Sequence, residues 1–296
     1  MTDREAHAVS KRKREIKLMM RALFSGVAGL KAYQTGMDVI GNNIANVNTY
    51  GFKSSSTIYR DVYYQALAGS SNASGNLGGA NPSQIGYGAS AASVDVNTSR
   101  SGMATTGNSK DCYIDGEGYF VVKDGDSGYL YTRVGSFGFD SNGNLVDGNK
   151  RIICGANDSD AVSSTEPVAI NCAEYGEYKN ITIGSDGKIT GEKGGTVTTL
   201  GTIAIASIPN PAGLTQQGGS YYKAVSNVDT TAHPITYYAP GSGETGALVT
   251  SALESSNVDL ANEFSQMIIT ERGFQANSKI ITVSDEMLED LVNLKR

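Results

Sequence analysis

The sequence predicts an α+β chain: long N- and C-terminal α-helices pairing as a coiled coil, with a mainly antiparallel β central domain. Three observations carry this. Apolar residues recur in steps of three and four near the start, and at intervals of seven near the end. Between them, short alternating runs are punctuated by Gly, Asn and Asp.

The 296 residues divide into a basic prefix over 1–18, a core helix over 19–50 and a Gly/Ser/Asn-rich connecting loop over 51–89. A β-rich outer domain over 90–250 and a second core helix over 251–296 complete the chain. The prefix holds Arg4, Lys11, Arg12, Lys13, Arg14 and Lys17 against Asp3, Glu5 and Glu15, whereas the whole chain carries −6. A basic arm, a nucleic-acid-binding tail and translated upstream sequence before a start at Met19 or Met20 are the competing explanations, and the last is preferred. The acidic balance argues against a general nucleic-acid or anionic-membrane surface. No apolar run reaches the roughly 18 residues of a membrane-spanning helix, and no ordinary secretion signal is evident.

In the first helix, Leu23, Gly26, Leu30, Tyr33, Met37, Ile40, Ile44 and Val47 form a seam opposite Lys31, Gln34, Asp38 and Asn42. From Met20 to Val47 it would extend about 42 Å. In the second, Leu260, Met267, Phe274, Ile281 and Leu288 repeat every seven residues. Phe264 and Val292 stand on the adjoining position, which Glu271, Ser278 and Asp285 make polar. Ser256, Asn257 and Asp259 supply cap-type side chains, and Glu263, Lys295 and Arg296 suit the helix dipole. The alternative for both stripes is an ordinary amphipathic helix of a globular core. Their terminal placement on a β-rich chain favours mutual pairing.

Strands are expected over Tyr119–Lys123, Tyr129–Arg133, Phe137–Phe139, Asn180–Ile183, Lys188–Thr190 and Gly201–Ile208. Asp124-Gly125-Asp126-Ser127-Gly128 and Asn142-Gly143-Asn144 supply turns. Cys112, Cys154 and Cys172 lack zinc-site spacing and read as buried thiols.

Catalytic and metal signals are weak, and no cofactor or metal is expected. The run from Asp140 to Asn144 opens like a calcium loop, but the required Gly and Glu positions hold Leu145 and Arg151. Asp111, Asp115 and Glu117 could in principle pair as hydrolytic carboxylates, although no aromatic sugar platform accompanies them. His7 and His233 are far apart.

The helices also carry a specific resemblance. Met20-Arg21-Ala22-Leu23-Phe24-Ser25-Gly26-Val27-Ala28-Gly29-Leu30, Gly41-Asn42-Asn43-Ile44-Ala45-Asn46-Val47-Asn48-Thr49 and Gly51-Phe52-Lys53 resemble the bacterial flagellar hook and rod family. So do Asp115–Phe120, Tyr131–Arg133, Gly135–Phe137, Asn210–Leu214, Ser256–Leu260, Arg272–Lys279 and Asp285–Leu288. The prefix matches nothing in that family.

The resemblance implies a non-enzymatic, self-assembling subunit of the extracellular flagellum. The stretch from Tyr63 to Gly86 is closer to compact hook proteins, so a hook subunit, a flexible torque-transmitting joint, is preferred to the distal rod. Implied partners are copies of itself, the distal rod, hook cap and hook–filament junction proteins, and the flagellar type III export apparatus. Nucleic acid and membrane insertion are not expected. The seam residues become the assembly interface, and Gln34, Asn42, Gln275 and Asn277 candidates for the channel side.

At roughly 1.5–3 kcal/mol for each buried apolar side chain, the eight seam positions of the first helix offer at most about 12–24 kcal/mol before ordering costs. Neighbouring copies are therefore expected to supply the second wall and to fold the helices on assembly. A coiled-coil adhesin and a carbohydrate-active enzyme are the alternatives from other classes.

Overall fold

A computed structural model describes the backbone of residues 3–73, 78–125, 128–157, 162, 166–172, 175–228 and 234–293, with side chains from Met20 onward except that of 291. His233, Lys295, Arg296, the middle of the 124–128 turn and the side chains of the prefix lie outside the described residues. The chain forms two compact units: residues 1–45, 55–95 and 259–296, and residues 46–54 and 96–258.

The first unit holds α1 (Asp3–Ala45) and α2 (Leu260–Asn293), with β1 (Ser55–Asp61), β2 (Tyr64–Ala68), β3 (Ser83–Gly86) and β4 (Ala89–Val96). The helix expected from Met20 begins in the prefix and stops at Ala45, so Val47 lies beyond it in a turn. Of the three cap candidates, Asp259 caps α2: its Oδ1 accepts the backbone N–H of Ala261 at 2.9 Å and of Asn262 at 3.3 Å. That satisfies two of the orphan donors at the helix start.

Residues 51–89 are not simply a loop. β1 pairs with β4, and β2 pairs antiparallel with β3 through Tyr64 opposite Gly86 and Gln65 opposite Ile85. Composition hid these ribbons, because Ser, Gly and Asn dominate their flanks while Tyr, Ile and Val inside them remain exposed.

The second unit is built from β5 (Met103–Thr105), β6 (Cys112–Asp115), β7 (Tyr119–Asp124), β8 (Gly128–Thr132), β9 (Phe137–Phe139), β10 (Leu145–Asp147), β11 (Cys154–Asn157) and β12 (Val168–Ala169). It continues with β13 (Lys179–Ile183), β14 (Lys188–Lys193), β15 (Thr196–Ile203), β16 (Ile205–Ser207), β17 (Thr215–Gly218), β18 (Tyr221–Lys223), β19 (Thr236–Tyr238), β20 (Ala247–Thr250) and β21 (Ala252–Glu254). A six-stranded sheet runs β17-β18-β8-β7-β16-β19 and a five-stranded one β12-β11-β15-β14-β13. The pairs β9–β10, β6–β20 and β5–β21 complete it.

β7 explains why the sequence reads as strand here. Successive side chains alternate between faces: Phe120 and Val122 enter the main core with Ile114, Leu130 and Ile203, while Tyr119 and Val121 enter a second, tyrosine-rich core with Tyr131, Tyr222 and Tyr237. Both faces are covered, so the strand is continuously apolar. The three cysteines are buried, and burial pushes the Cys112 and Cys154 thiols up to about 12. These thiols fill space and are protonated at neutral pH.

The acidic decoys serve turns and ion pairs. Asp140 accepts the Gly143 N–H at 2.9 Å through its carbonyl, closing the hairpin between β9 and β10. Asp111 is buried and accepts bonds from Thr106 Oγ1 at 2.6 Å and Asn108 Nδ2 at 3.0 Å. Asp115 pairs with Arg100 at 2.5 Å in an exposed setting.

Candidate assembly surface

In the first unit, α1 and α2 lie against each other in antiparallel register. A Cβ built on Gly26 would touch Ile281 Cγ1 at 3.3 Å; one on Gly29, the Asn277 amide at 2.7 Å; one on Gly273, the Tyr33 ring at 2.6 Å. Farther along, Asn43 Nδ2 donates to Glu263 Oε1 at 3.0 Å. Partners descend along α2 as they ascend along α1. Glycine matters here because the neighbouring side chain occupies the volume a Cβ would take, so the backbones approach closely.

The seam is rotated from the one expected. On α1 the contacting positions are Gly26, Gly29, Tyr33, Gly36 and Asn43, with Leu23, Leu30, Met37, Ile40 and Ile44 half-buried beside them. On α2, Met267, Phe274, Ile281 and Leu288 are half-buried as the heptads require, but their companions are Glu263, Thr270, Asn277 and Ser284. Leu260, Phe264 and Val292 are 39%, 51% and 69% exposed, and Glu271, Ser278 and Asp285 face outward. The physical reason is size: small polar residues such as Thr270 and Ser284 fit where the two helices approach closely. Their hydroxyls are satisfied within the helix, Thr270 Oγ1 donating to Gln266 O at 2.7 Å and Ser284 Oγ to Ile280 O at 2.8 Å.

Each helix thus supplies part of the other's wall within one chain, which corrects the expectation that only neighbours could. What remains outward is nonetheless large. Phe24 is 59% exposed, Ile268 58% and Ile269 62%, and Met20, Val27, Ile280, Val283 and Met287 are also exposed. On the ribbons, Ile58, Tyr59, Val62, Tyr63, Tyr64 and Leu67 extend the apolar surface. Isolated apolar residues on a surface are ordinary, but an extended set of this kind marks an interaction face.

Of the polar candidates, Gln34, Asn42 and Gln275 are exposed, while Asn277 is half-buried over Gly29. Gln275 Nε2 donates to Glu271 Oε1 at 2.8 Å and its oxygen accepts from Arg272 at 3.0 Å. Asn43 was not singled out by periodicity, yet it is 1% exposed. Its amide donates to Ser55 O at 2.8 Å and its oxygen accepts Ser55 N–H at 3.0 Å, so one side chain imitates a strand neighbour while also holding Glu263.

A recess of about 360 Å³ opens beside this contact, lined by Tyr33, Gly36, Thr57, Tyr59, Glu263 and Thr270 among others. Burial raises the Glu263 carboxyl above its ordinary 4.5, opposed by the Asn43 bond and reinforced by Asp259. The protonated form is favoured in the folded unit. Its contribution is therefore full below 4.5 and lost as pH rises through the raised folded value. Thermal unfolding followed at 222 nm should show the wild-type helices gaining stability on acidification towards 4.5, with a smaller gain in Glu263→Gln.

The second unit has its own buried charge cluster, in which the flanks 46–54 and 251–258 meet. Lys53, Arg133 and Glu254 are 1–2% exposed. Glu254 Oε1 accepts from Lys53 Nζ at 2.6 Å and from Ser101 N–H at 3.1 Å, and its Oε2 lies 3.6 Å from Arg133 Nη1. Lys53 also donates to Ser99 O at 2.7 Å, and Arg133 to Gly116 O at 3.0 Å with its guanidinium 4.9 Å from the Tyr119 ring centroid. Lys53 and Arg133 stand in motifs quoted above without a role; Glu254 carried no signal in the sequence.

Three family descriptions match successive parts of the chain: "Flagella basal body rod protein" over 23–53, "Flagellar hook protein FlgE/F/G D1 domain" over 113–191 and "Flagellar basal body rod FlgEFG protein C-terminal" over 249–294. The chain is similar to the flagellar basal-body rod protein FlgG of Bacillus subtilis, 43% identical over 279 residues, covering 94% of this chain and 100% of the relative. FlgG of Borreliella burgdorferi is 34% identical over 287 residues with the same coverage, and the flagellar hook protein FlgE of that organism 27% identical over an alignment of 446. A chain that aligns over 94% of its length with the whole of rod proteins 43% and 34% identical to it, and that matches hook and rod family descriptions in its N-terminal, middle and C-terminal parts, belongs to the structural, non-enzymatic family of flagellar hook and basal-body rod proteins.

Proposed function

We propose that this chain is a distal rod subunit that polymerises into a tube through the outward faces of α1 and α2. The observation that carries assembly is the apolar set left exposed once the helices have paired, led by Phe24, Phe264, Ile268 and Ile269. Burying an apolar side chain contributes about 1.5–3 kcal/mol, and copies of the chain offer the same surface at high local concentration. Contacts between unlike patches at a rotation that does not close produce an open helical filament. In that tube the helix pair continues as a coiled coil against neighbours, and Gln34, Asn42 and Gln275 face the channel.

Rod is favoured over hook by extent. The rod relatives align over 279 and 287 residues, close to this chain's own length, whereas the hook relative's alignment stretches to 446. The hook reading retains the support of the 63–86 segment. A rod subunit would sit within the cell envelope; a hook subunit would sit outside it. Either would meet other axial proteins at the ends of its own segment and reach the growing tip through the flagellar export apparatus.

Expression in Bacillus subtilis cells lacking their FlgG, and separately in cells lacking their hook protein, distinguishes the two. Motility should return in the first strain and not in the second. Rescue confined to the second strain would overturn the rod assignment in favour of the hook.

A further inference from the structure

The buried cluster in the second unit has an asymmetry: two cations share one anion, and the anion arrives last along the chain. Lys53 and Glu254 are 201 positions apart, and Ser101 and Glu254 153 apart. Glu254 also accepts the Gly51 N–H through its carbonyl at 2.8 Å. One residue of β21 therefore ties together the stretch at 51–53, the segment at 99–101 and the end of β8. Without its carboxylate, Lys53 and Arg133 would be two cations in one closed pocket, a state that protein interiors strongly disfavour. Burial already depresses the Lys53 ammonium, with Glu254 the chief opposing influence.

We propose that Glu254 is a latch that makes closure of the β unit conditional on the arrival of the flank 251–258. Until that flank docks through β5–β21, where Glu254 pairs with Met103, the pocket around Arg133 stays open to water. β6 and β7 then stay unprotected. A chain interrupted before Glu254 cannot present a finished β unit, so only complete subunits are competent to fold. The latch goes beyond the assembly reading and stands whether the chain builds rod or hook.

The test uses the full chain and the variants Glu254→Gln, Lys53→Met and their double. Glu254→Gln should lower the melting midpoint of the second unit by about 10 °C, and Lys53→Met by less. Adding Lys53→Met to Glu254→Gln should raise the midpoint, because it removes one of the stranded cations. A double variant melting below Glu254→Gln would overturn the latch, since packing alone would then explain the loss. If Glu254→Gln does not fold, cooperative melting of the double still supports the latch, and an unfolded double overturns it. During refolding of the wild type, amides of 112–115 and 119–124 should gain exchange protection no earlier than those of 252–254; earlier protection would contradict the proposal.

Discussion

Phe24→Ser combined with Phe264→Ser is expected to leave both units folded and to suppress polymerisation. The two rings are 59% and 51% exposed, so about half of each remains to be buried by a neighbour. At about 1.5–3 kcal/mol for a whole side chain, the pair would contribute roughly 2–3 kcal/mol per subunit contact. Because each 1.4 kcal/mol is tenfold, the critical concentration should rise roughly 30- to 100-fold. Light scattering against concentration measures it, and unchanged circular dichroism shows that the subunit itself is intact. A critical concentration within a factor of about two of wild type would remove these faces from the interface.

Opposite signs are expected at two glycines of the same unit. Gly273→Leu must displace the Tyr33 ring, 2.6 Å from the first added carbon. Overpacking of this kind costs about 1–3 kcal/mol, more than the roughly 1 kcal/mol that losing a helical glycine contributes. Gly41, by contrast, has nothing within 4 Å of an added Cβ. Gly41→Ala should therefore stabilise the helices by about 0.5–1 kcal/mol. Chemical denaturation followed at 222 nm distinguishes them, and equal shifts would mean that the close approach of α1 and α2 does not limit the packing.

These contrasts show where the sequence was legible. Strands with two covered faces, such as β7, announced themselves as continuous apolar runs, and Phe137–Phe139 is observed with the expected bounds. The heptads of α2 fall on Met267, Phe274, Ile281 and Leu288, which are half-buried. Hydrophobicity then chose the wrong companions, because Phe264 and Val292 are apolar while the true neighbours Thr270 and Ser284 are small and polar. Periodicity measures greasiness, and this contact is governed by size.

Asn43 and Glu254 were illegible for another reason. Each is a single polar residue whose meaning depends on partners brought from elsewhere: Ser55 and Glu263 for Asn43, Lys53 and Arg133 for Glu254. The second consequence concerns fragments. A piece cut at 75–250 would lose Lys53 and Glu254 together and leave Arg133 buried without its carboxylate, so a useful β fragment has to run from 46 to 258.

Sedimentation velocity of the full wild-type chain across a concentration series, with electron microscopy of the fast fraction, tests the central claim most directly. The account predicts a concentration threshold above which monomer gives way to long tubes. A single monomer boundary at every concentration, with Phe24, Phe264 and Ile269 protected from surface labelling, would contradict it.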